Sequence, residues 1–370
     1  MSKTRLYHSE KCLWHSLPGL YSLSLPAEGW MQPPSGAGFA ESPESKRRIV
    51  SLLQVSSLRD KIDIVEAPMA SEEDLLRVHT ASYLEKFKAM SDEKGGELGI
   101  FAPFGKGSYE IAKLSAGLAK QALQDVIEGK CQNAYSISRP PGHHCLADMP
   151  MAFCLLANIA IAVEAVKEKY EAIHKVAIID WDVHHGNGTQ AIFYDRPDVL
   201  TISLHQNGCF PIGYSGEQDR GSGAGEGYTV NIPLTPGGGH EAYLYALEKI
   251  VVPKVNDFQP DLIVVACGLD ALIVDPIARM MAHSGTYREM TKMLMNLAQQ
   301  HCDGRLVMVH EGGYAESLVP FSAHAILEEL SGEKSDVVDP SIEFCMGQQP
   351  NQEIVDFQKK SIDKLMEILG

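Results

Sequence analysis

The sequence predicts a single α/β domain built around a central, mostly parallel sheet flanked by helices. Short apolar runs alternate with longer stretches of helical periodicity along most of the chain, and this alternation is typical of a doubly wound sheet. No internal repeat, charge block or linker divides the 370 residues, and one large α/β domain can have this length. We therefore treat residues 1–370 as one domain.

The predicted elements follow one another in the order that such a sheet requires. In the first predicted helix, apolar side chains recur at helical spacing, at Ile111, Leu114, Leu118 and Leu123. The predicted helices cover residues 107–128, 152–170, 240–256, 286–301 and 356–369. The predicted strands cover residues 134–138, 175–180, 199–204, 228–232, 261–267 and 305–310.

A stretch rich in Gly, Pro and Ser precedes these elements. Residues 17–45 contain Pro33-Pro34 and Ser42-Pro43, so they are predicted to form a long loop. Loops of this length in compact domains are usually functional. We expect this one to lie at the rim of a substrate entrance or between the subunits of a homo-oligomer.

Composition and charge narrow the classes of partner. Lys and Arg number 32 against 48 Asp and Glu, a formal charge of −16, which disfavours nucleic acid and anionic membranes but attracts a cationic substrate. The eight cysteines form no C-x-x-C pair, which is typical of a reducing compartment. The first residues lack the apolar core of a signal peptide, and no apolar run is long enough to span a membrane. We expect a cytoplasmic protein.

The run Asp180-Trp181-Asp182-Val183-His184-His185-Gly186-Asn187 carries the strongest chemical signal. It follows the apolar run 176–179, and in an extended backbone alternate side chains share a face. Asp180, Asp182 and His184 would then project together and form an oxygen and nitrogen site for a divalent metal. The alternative is a solvated turn after a strand.

Three further polar clusters also follow apolar runs: His143-His144, Asp270, and Glu311-Gly312-Gly313-Tyr314. Ligands bind beyond the carboxyl ends of parallel strands, so these clusters are expected to converge. Asp182, His184 and Asp270 would supply the three protein ligands that a catalytic zinc site typically has. Asp270 alone would more simply be read as the cap of a helix.

The remaining polar residues suggest acid/base chemistry near the metal. Paired histidines such as His143-His144 suit proton transfer near neutral pH, with Asp180 and Asn187 as the partners that orient them. The phenol of Tyr314 could donate a hydrogen bond to an oxyanion. The aromatic residues near these clusters, which could line a narrow apolar slot, are Phe153 and Phe210.

Together these motifs resemble the class II histone deacetylases, and most closely their bacterial relatives, the histone-deacetylase-like amidohydrolases and acetylpolyamine amidohydrolases. The resemblance runs in order from about His8 to His324. The motifs that carry it are Arg139-Pro140-Pro141-Gly142-His143-His144, the run from Asp180 to Gln190, Gly268-Leu269-Asp270 and Glu311-Gly312-Gly313-Tyr314.

The resemblance implies an arginase-like α/β fold and one zinc ion held by Asp182, His184 and Asp270. It also implies that His144 is the general base and acid, and His143 its electrostatic partner. Tyr314 is implied to polarise the substrate carbonyl, and Phe153 and Phe210 to form a tunnel for the substrate. The resemblance further implies a potassium ion bound by Asp180, Asp182, His184, Ser203 and Leu204. A second potassium ion is implied near Phe193, Val199 and Tyr228.

Three positions depart from the family patterns. Asn187 stands where class I members have Asp, which leaves the neighbouring imidazole without a charged partner and fits class II. Glu311 stands where class I members have Gly. Ala152 replaces the Gly that usually precedes the tunnel Phe, and its methyl group is expected to restrict which acyl groups fit.

The predicted function is removal of acetyl or a related acyl group from lysine side chains or acetylated polyamines by a zinc-dependent amidohydrolase. One alternative is an arginase-like hydrolase with two manganese ions, although Gly268 and Leu272 flank Asp270 where a second bridging carboxylate would stand. The other is an acyl-lysine binding module without turnover. The choice between protein and polyamine substrates stays open.

Overall fold

The sheet at the centre of the molecule has eight strands, and every pair of adjacent strands in it is parallel. A computed structural model of the chain describes residues 4–16, 20–21, 25–26 and 40–369. The strands are β1 Thr4–Tyr7, β2 Leu20–Tyr21, β3 Leu25–Pro26, β4 Ile62–Val65, β5 Gly95–Glu97, β6 Pro103–Gly105, β7 Asn133–Ser136, β8 Val176–Asp180, β9 Val199–Gln206, β10 Thr229–Leu234, β11 Leu262–Cys267 and β12 Leu306–His310.

Helices cover both faces of this sheet. Within the described ranges they are α1 Glu44–Val55, α2 Glu72–Leu76, α3 Ala81–Glu93, α4 Ser108–Ile127, α5 Asn158–Lys169, α6 Asn187–Phe193, α7 His240–Ala246, α8 Val252–Phe258, α9 Ser284–His301, α10 Val319–Ser331, α11 Ile342–Gly347 and α12 Gln352–Leu369. None of these helices combines the length and apolarity that crossing a bilayer requires.

The strand order places a topological switch point at the centre of the sheet. The order is β10-β9-β8-β11-β12-β7-β1-β4, so the chain leaves β8 on one side for β9 and β10 and then returns to its other side as β11. The loops after β8 and β11 therefore separate in opposite directions. A crevice opens there at the carboxyl ends of the strands, where ligands bind in open α/β sheets.

The central strands are apolar throughout because both of their faces are buried. In β11, Ile263 and Val265 belong to one hydrophobic core, whereas Leu262, Val264 and Ala266 belong to the other. One sheet thus separates two cores, and its middle strands have no face left for solvent. This explains why the strands appear in the sequence as continuous apolar runs.

The predicted fold class is confirmed, and the element bounds shift by a few residues. The largest shift is in the helix predicted for residues 152–170, which begins only at Asn158. The helix predicted for 240–256 is continuous but contains a π-helical turn at Leu247–Val251. Most of the predicted loop 17–45 lies outside the described residues; within it, β2 pairs with β3 and α1 begins at Glu44.

The sequence analysis did not predict α10, although this helix packs in the core. Eleven of its thirteen residues are buried, and four of these are polar or charged: Ser322, His324, Glu328 and Ser331. It also carries a proline in its first turn, which a helix tolerates there. Because polar and apolar side chains are buried together, the separate polar face that marks a surface helix is weak in this sequence.

We expect Ile263→Ala to lower the free energy of unfolding by about 2–5 kcal/mol, because it leaves a cavity in a core that cannot collapse around it. Ile263 is fully buried in the central strand β11. Urea unfolding followed by circular dichroism measures the change. The matched control is Ile212→Ala, since Ile212 is 83% exposed and its loss should change stability by less than about 0.5 kcal/mol. Equal losses in the two variants would contradict the description of the core.

Candidate active site

Three ligand-type side chains meet at the switch point, between the loops that follow β8 and β11. Ligand atoms of Asp182, His184 and Asp270 all lie within 4.8 Å of one another. Nδ1 of His184 lies 3.1 Å from Oδ1 of Asp182 and 3.2 Å from Oδ2 of Asp270. The topology thus brings together residues that are far apart in the chain.

The local backbone differs from the extended chain expected for this run. Strand β8 ends at Asp180, and the chain then turns. The Asp182 amide donates to Oδ1 of Asp180 over 3.0 Å, and the His184 amide donates to Oδ1 of Asp182 over 2.9 Å. The backbone after Asp180 is therefore turned and not extended as expected. Oδ2 of Asp180 contacts His143, as expected for the partner that orients an imidazole, while Asp182 and His184 lie beside Asp270.

The three residues suit a divalent cation. Both carboxylates are fully buried and His184 is nearly so. Among the described residues Oδ2 of Asp270 approaches only the His184 ring, 3.2 Å from Nδ1, without a well-formed hydrogen bond, and burial together with the charge of Asp182 raises the pKa of Asp270. Two buried carboxylates this close repel each other and need positive charge between them. An O, N, O donor set of this kind is one that zinc accepts.

Glycines make room for this group. A Cβ on Gly268 would lie 2.2 Å from Oδ2 of Asp182, and a Cβ on Gly312 would lie 2.1 Å from Oδ2 of Asp270. The Gly312 amide also donates to Oδ2 of Asp182 over 2.9 Å. Any larger residue at either position would push the carboxylates apart.

The two adjacent histidines are in different protonation states. Nδ1 of His143 lies 2.9 Å from Oδ2 of Asp180. Burial opposes its charge, but Asp182 and Asp180 outweigh burial and raise the pKa of His143 to about 10. For His144, burial and the neighbouring cationic histidines lower the pKa well below its ordinary value. These opposite shifts favour the cationic form of His143 and the neutral form of His144 at neutral pH.

Asn187 sets the tautomer of His144. Its amide oxygen lies 2.7 Å from Nδ1 of His144, and its amide nitrogen donates to the sulfur of Met151. Since an amide oxygen only accepts, Nδ1 carries the hydrogen and Nε2 keeps its lone pair. The neutral imidazole thus has a free basic nitrogen.

Tyr314 lies beside the metal-ligand group. Its ring makes edge contacts with His184, at a centroid distance of 6.5 Å, and with Phe153, at 6.1 Å. Its amide donates to Oδ2 of Asp275 over 3.0 Å, and burial keeps its pKa well above the ordinary value. The phenol therefore keeps its proton and can donate it in a hydrogen bond.

Two aromatic rings flank the histidine pair and Tyr314. The Phe210 ring lies 5.0 Å from that of His144, and Phe153 contacts Tyr314 from the other side. Phe153 and Ala152 both have positive φ, 68° and 40°, and their amides donate to the carbonyls of Phe101 and Ile100. The left-handed backbone explains why glycine suits position 152. Alanine there strains the backbone, in addition to the predicted restriction of acyl groups by its methyl group.

Two of the five residues predicted to bind the first potassium ion line a small cavity beside β8, whereas Asp182, His184 and Leu204 do not line it. Asp180 and Ser203 are register partners in β8 and β9, and both line a cavity of about 10 Å³, roughly the space of one water-sized particle. Leu204 follows Ser203 in β9. The residues predicted near a second potassium ion are Phe193, Val199 and Tyr228. The carbonyl of Tyr228 accepts a hydrogen bond from the amide of Thr201, close to Val199 at the start of β9, and Phe193 is buried.

The sequence analysis missed a charged network beneath Tyr314. The Lys46 ammonium is fully buried, lies 3.1 Å from Oε1 of Glu41 and stands 5.9 Å from the centre of the Tyr314 ring. Nε of Arg139 donates to the same Glu41 oxygen over 3.1 Å. No local pattern could have revealed these partners, because Glu41 belongs to the predicted loop 17–45 and Lys46 directly follows that loop.

A second group of ligand-type residues, His143, Cys154 and Glu311, is also buried at this edge of the sheet. Oε2 of Glu311 accepts from the amides of Gly142 and His143 over 2.6 and 3.1 Å. Glu311 was noticed in the sequence only as a departure from class I. Its contact with the histidine loop had no sequence signal.

Stability should depend on pH through Glu311. Burial raises its pKa from 4.5 to about 7, so its contribution to stability is full below about pH 4.5 and is lost as the pH rises towards 7. Glu311→Gln removes this loss. Its urea midpoint relative to the wild type should therefore increase between about pH 5 and about pH 7.5.

Glu328→Gln is the control for this measurement. Glu328 is also buried, but its pKa is lowered: burial opposes the shift, and hydrogen bonds from Arg288 and Ser335 outweigh burial. Its titration therefore lies below the window, and its difference from the wild type should stay constant. A constant difference for Glu311→Gln as well would contradict the raised pKa.

Comparisons with known proteins agree with this geometry. The histone deacetylase domain family matches residues 39–330. A histone deacetylase-like amidohydrolase of Pseudomonas aeruginosa is 56% identical over 368 residues, which cover 100% of this chain and 96% of the relative. A probable deacetylase of Archaeoglobus fulgidus is 42% identical over 276 residues, 74% of this chain and 75% of the relative.

A solved structure shares the fold over the whole length. The crystal structure of the HDA15 HD domain superposes with a TM-score of 0.81 at 30% identity, covering 100% of this chain and 99% of that one. The predicted resemblance is thus confirmed by sequence and by structure. The chain belongs to the histone deacetylase family of deacetylases and amidohydrolases.

Proposed function

We propose that this protein is a zinc-dependent amidohydrolase that removes acetyl or a related acyl group from a primary amine on a lysine-like chain. One observation carries the proposal. The free Nε2 of His144, the phenol of Tyr314 and the three-ligand group of Asp182, His184 and Asp270 converge between two aromatic rings. The proposal treats residues 1–370 as one catalytic domain.

The metal in this proposal is one zinc ion per chain, held by Asp182, His184 and Asp270. When bound, zinc supplies a Lewis acid that polarises the acyl carbonyl and makes a water molecule more acidic. The close approach of the Asp182, His184 and Asp270 ligand atoms and the mutual repulsion of the buried carboxylates support this choice.

His144 acts as the general base and then as the general acid. Its Nε2 takes a proton from the water that attacks the amide carbonyl, while Asn187 holds Nδ1–H and keeps the ring oriented. The same nitrogen returns the proton to the departing amine. Neutrality at working pH is what a base requires, and the lowered pKa of His144 supplies it.

His143 and Tyr314 stabilise the negative charge that develops on the carbonyl oxygen. His143 stays cationic because Asp180 holds its Nδ1. The phenol of Tyr314 donates a hydrogen bond to the oxyanion, and a single donor of this kind is typically worth about 2.7–4 kcal/mol. These groups are fixed before the substrate arrives, so no reorganisation is needed during the reaction.

The substrate we propose is an acylated amine on a thin, flexible carbon chain, either an acyl-lysine or an acetylated polyamine. Phe153 and Phe210 would hold its methylenes on either side. The formal charge of −16 favours a cationic molecule at long range. A side-by-side assay of acetyl-lysine peptides, acetylated polyamines and longer acyl-lysines decides between the two sources of such a chain.

We further propose a structural potassium ion on Asp180, Asp182, His184, Ser203 and Leu204, a second near Phe193, Val199 and Tyr228, and a homo-oligomer in the cytoplasm. The cavity between Asp180 and Ser203 supports the first ion. The eight cysteines, all free, suit a reducing compartment. Light scattering tests the oligomer, and thermal stability in potassium against sodium tests the ions.

We expect Tyr314→Phe to lower kcat for a fluorogenic acetyl-lysine amide by about 10²–10³, because the oxyanion loses one donor. His144→Ala should abolish measurable turnover, since it removes both proton-transfer steps. The matched control is Tyr170→Phe: this tyrosine bonds Glu128 on the surface, and its variant should keep wild-type activity. Substantial turnover by Tyr314→Phe or His144→Ala would refute the assigned roles.

We expect Gly312→Ala to lower zinc affinity about 10–100-fold, because its Cβ would lie 2.1 Å from Oδ2 of Asp270 and 2.8 Å from Oδ2 of Asp182. Metal content after dialysis against buffered free zinc measures this effect without an activity assay. Gly347→Ala is the control, since a Cβ there meets nothing within 4 Å. Two manganese ions per active chain, instead of one zinc, would favour the arginase-like alternative.

A further inference from the structure

Glu311 is a buried carboxyl group that no step of the proposed reaction uses. It follows β12 directly, and its side chain is fully buried. Oε2 accepts from two consecutive backbone amides, Gly142 over 2.6 Å and His143 over 3.1 Å. A carboxylate that receives two backbone N–H groups is a strong local anchor. The anchored segment is the loop that carries His143 and His144.

The Gly142 and His143 amides donate to Glu311, whereas the carbonyls of this loop have other partners. Pro140 and Pro141 have no N–H to donate. The carbonyl of Pro140 is held by Oγ of Ser115 and Nδ2 of Asn158, that of Gly142 by the amide of Cys145, and that of His143 by the amides of Gly188 and Thr189. Gly142 packs so closely on α5 that a Cβ would lie 2.6 Å from the amide of Asn158. The Glu311 carboxylate therefore supplies the anchor for the two amides that directly precede the side chains of the histidine pair.

The residues after Glu311 reach the other half of the site. The Gly312 amide donates to Asp182, and two residues later comes Tyr314. Strands β12 and β7 are neighbours in the sheet, so Glu311 spans from the end of one to the loop after the other. It sets the spacing between the histidine pair and the tyrosine, which must face the same carbonyl.

A ligand role for Glu311 is less consistent with its contacts. Its group with His143 and Cys154 has ligand-type atoms within 4.8 Å of one another. However, Oε2 is already occupied by two amides and Nδ1 of His143 by Asp180, which leaves Oε1 as the oxygen of Glu311 without a hydrogen-bond partner among the described residues. Burial also keeps the pKa of the Cys154 thiol well above its ordinary value, so the thiolate that a metal needs is disfavoured.

We propose that Glu311 is a positioning residue, which holds the backbone of Gly142 and His143 in the register with Tyr314 that amide hydrolysis requires. The inference rests on the proposed function for its kinetic consequence. Its structural part, the anchoring of the loop, does not depend on that function.

Two variants separate anchoring from mere packing. Glu311→Gln keeps an acceptor oxygen at the same reach, whereas Glu311→Met keeps the length and volume but accepts no hydrogen bond. We expect kcat to fall less than about threefold for Gln and about 10–100-fold for Met, with KM within about twofold in both, because small misplacements of catalytic groups carry costs of this size. Glu328→Gln, a buried carboxyl away from the site, should leave both constants unchanged.

Hydrogen–deuterium exchange measures whether Glu311 protects the loop amides, without an activity assay. A peptide covering residues 139–146 should exchange faster in Glu311→Met than in the wild type and at the wild-type rate in Glu311→Gln. If Met fails to fold, Glu311→Asp replaces it, since a carboxylate one carbon shorter cannot reach both amides and should lower kcat at least about tenfold.

Wild-type kcat and unchanged exchange in Glu311→Met or Glu311→Asp would overturn the proposal, as would an effect confined to KM. A wild-type protein inactive on every acyl amide would instead refute the proposed function, and the exchange data would still decide whether Glu311 anchors the loop.

Discussion

The repulsion between two buried carboxylates, Asp182 and Asp270, is the constraint on which the rest of the site depends. Neither side chain reaches solvent, and an uncompensated pair of this kind is strongly destabilising. The surrounding chain answers with donors: the amides of Val183 and Gly312 and the ring of His184. Each of these donors requires a particular backbone path. The need to compensate two buried carboxylates therefore constrains the loops after β8, β11 and β12.

The same charges also divide the two adjacent histidines. Asp180 and Asp182 draw a proton onto His143, and that cation in turn helps to keep the proton off His144. The difference in pKa between neighbours in one loop thus arises from which ring faces a carboxylate and which faces an amide oxygen. Asn187 matters because it orients its imidazole but stabilises a charge there less than a carboxylate would.

Sequence alone was sufficient for the parts of this molecule that follow from strand ends. Parallel strands bring their carboxyl ends to one edge, so the convergence of Asp182, His184 and Asp270 could be predicted from apolar runs followed by polar residues. The burial of Lys46 against Glu41 could not be predicted. Charged residues in an early segment give no sign that they will be buried beside a ring as distant in the sequence as that of Tyr314. Glu311 is similar, since its contact depends on which strands are neighbours. In α10 polar side chains are buried beside apolar ones, so the spacing of its apolar residues does not mark a single buried face.

The position of β8 in the sheet has a consequence for how the chain folds. In the sheet, β8 lies between β9 and β11. Along the chain, Asp182 and His184 precede Asp270, and strands β9 and β10 are synthesised in between. A nascent chain that ends after β10 has one edge of an apolar central strand still unpaired. Such edges are slow to close and prone to aggregate. The proposed metal ligands therefore meet only when β11 pairs with β8, and the ability to bind an ion would report that pairing.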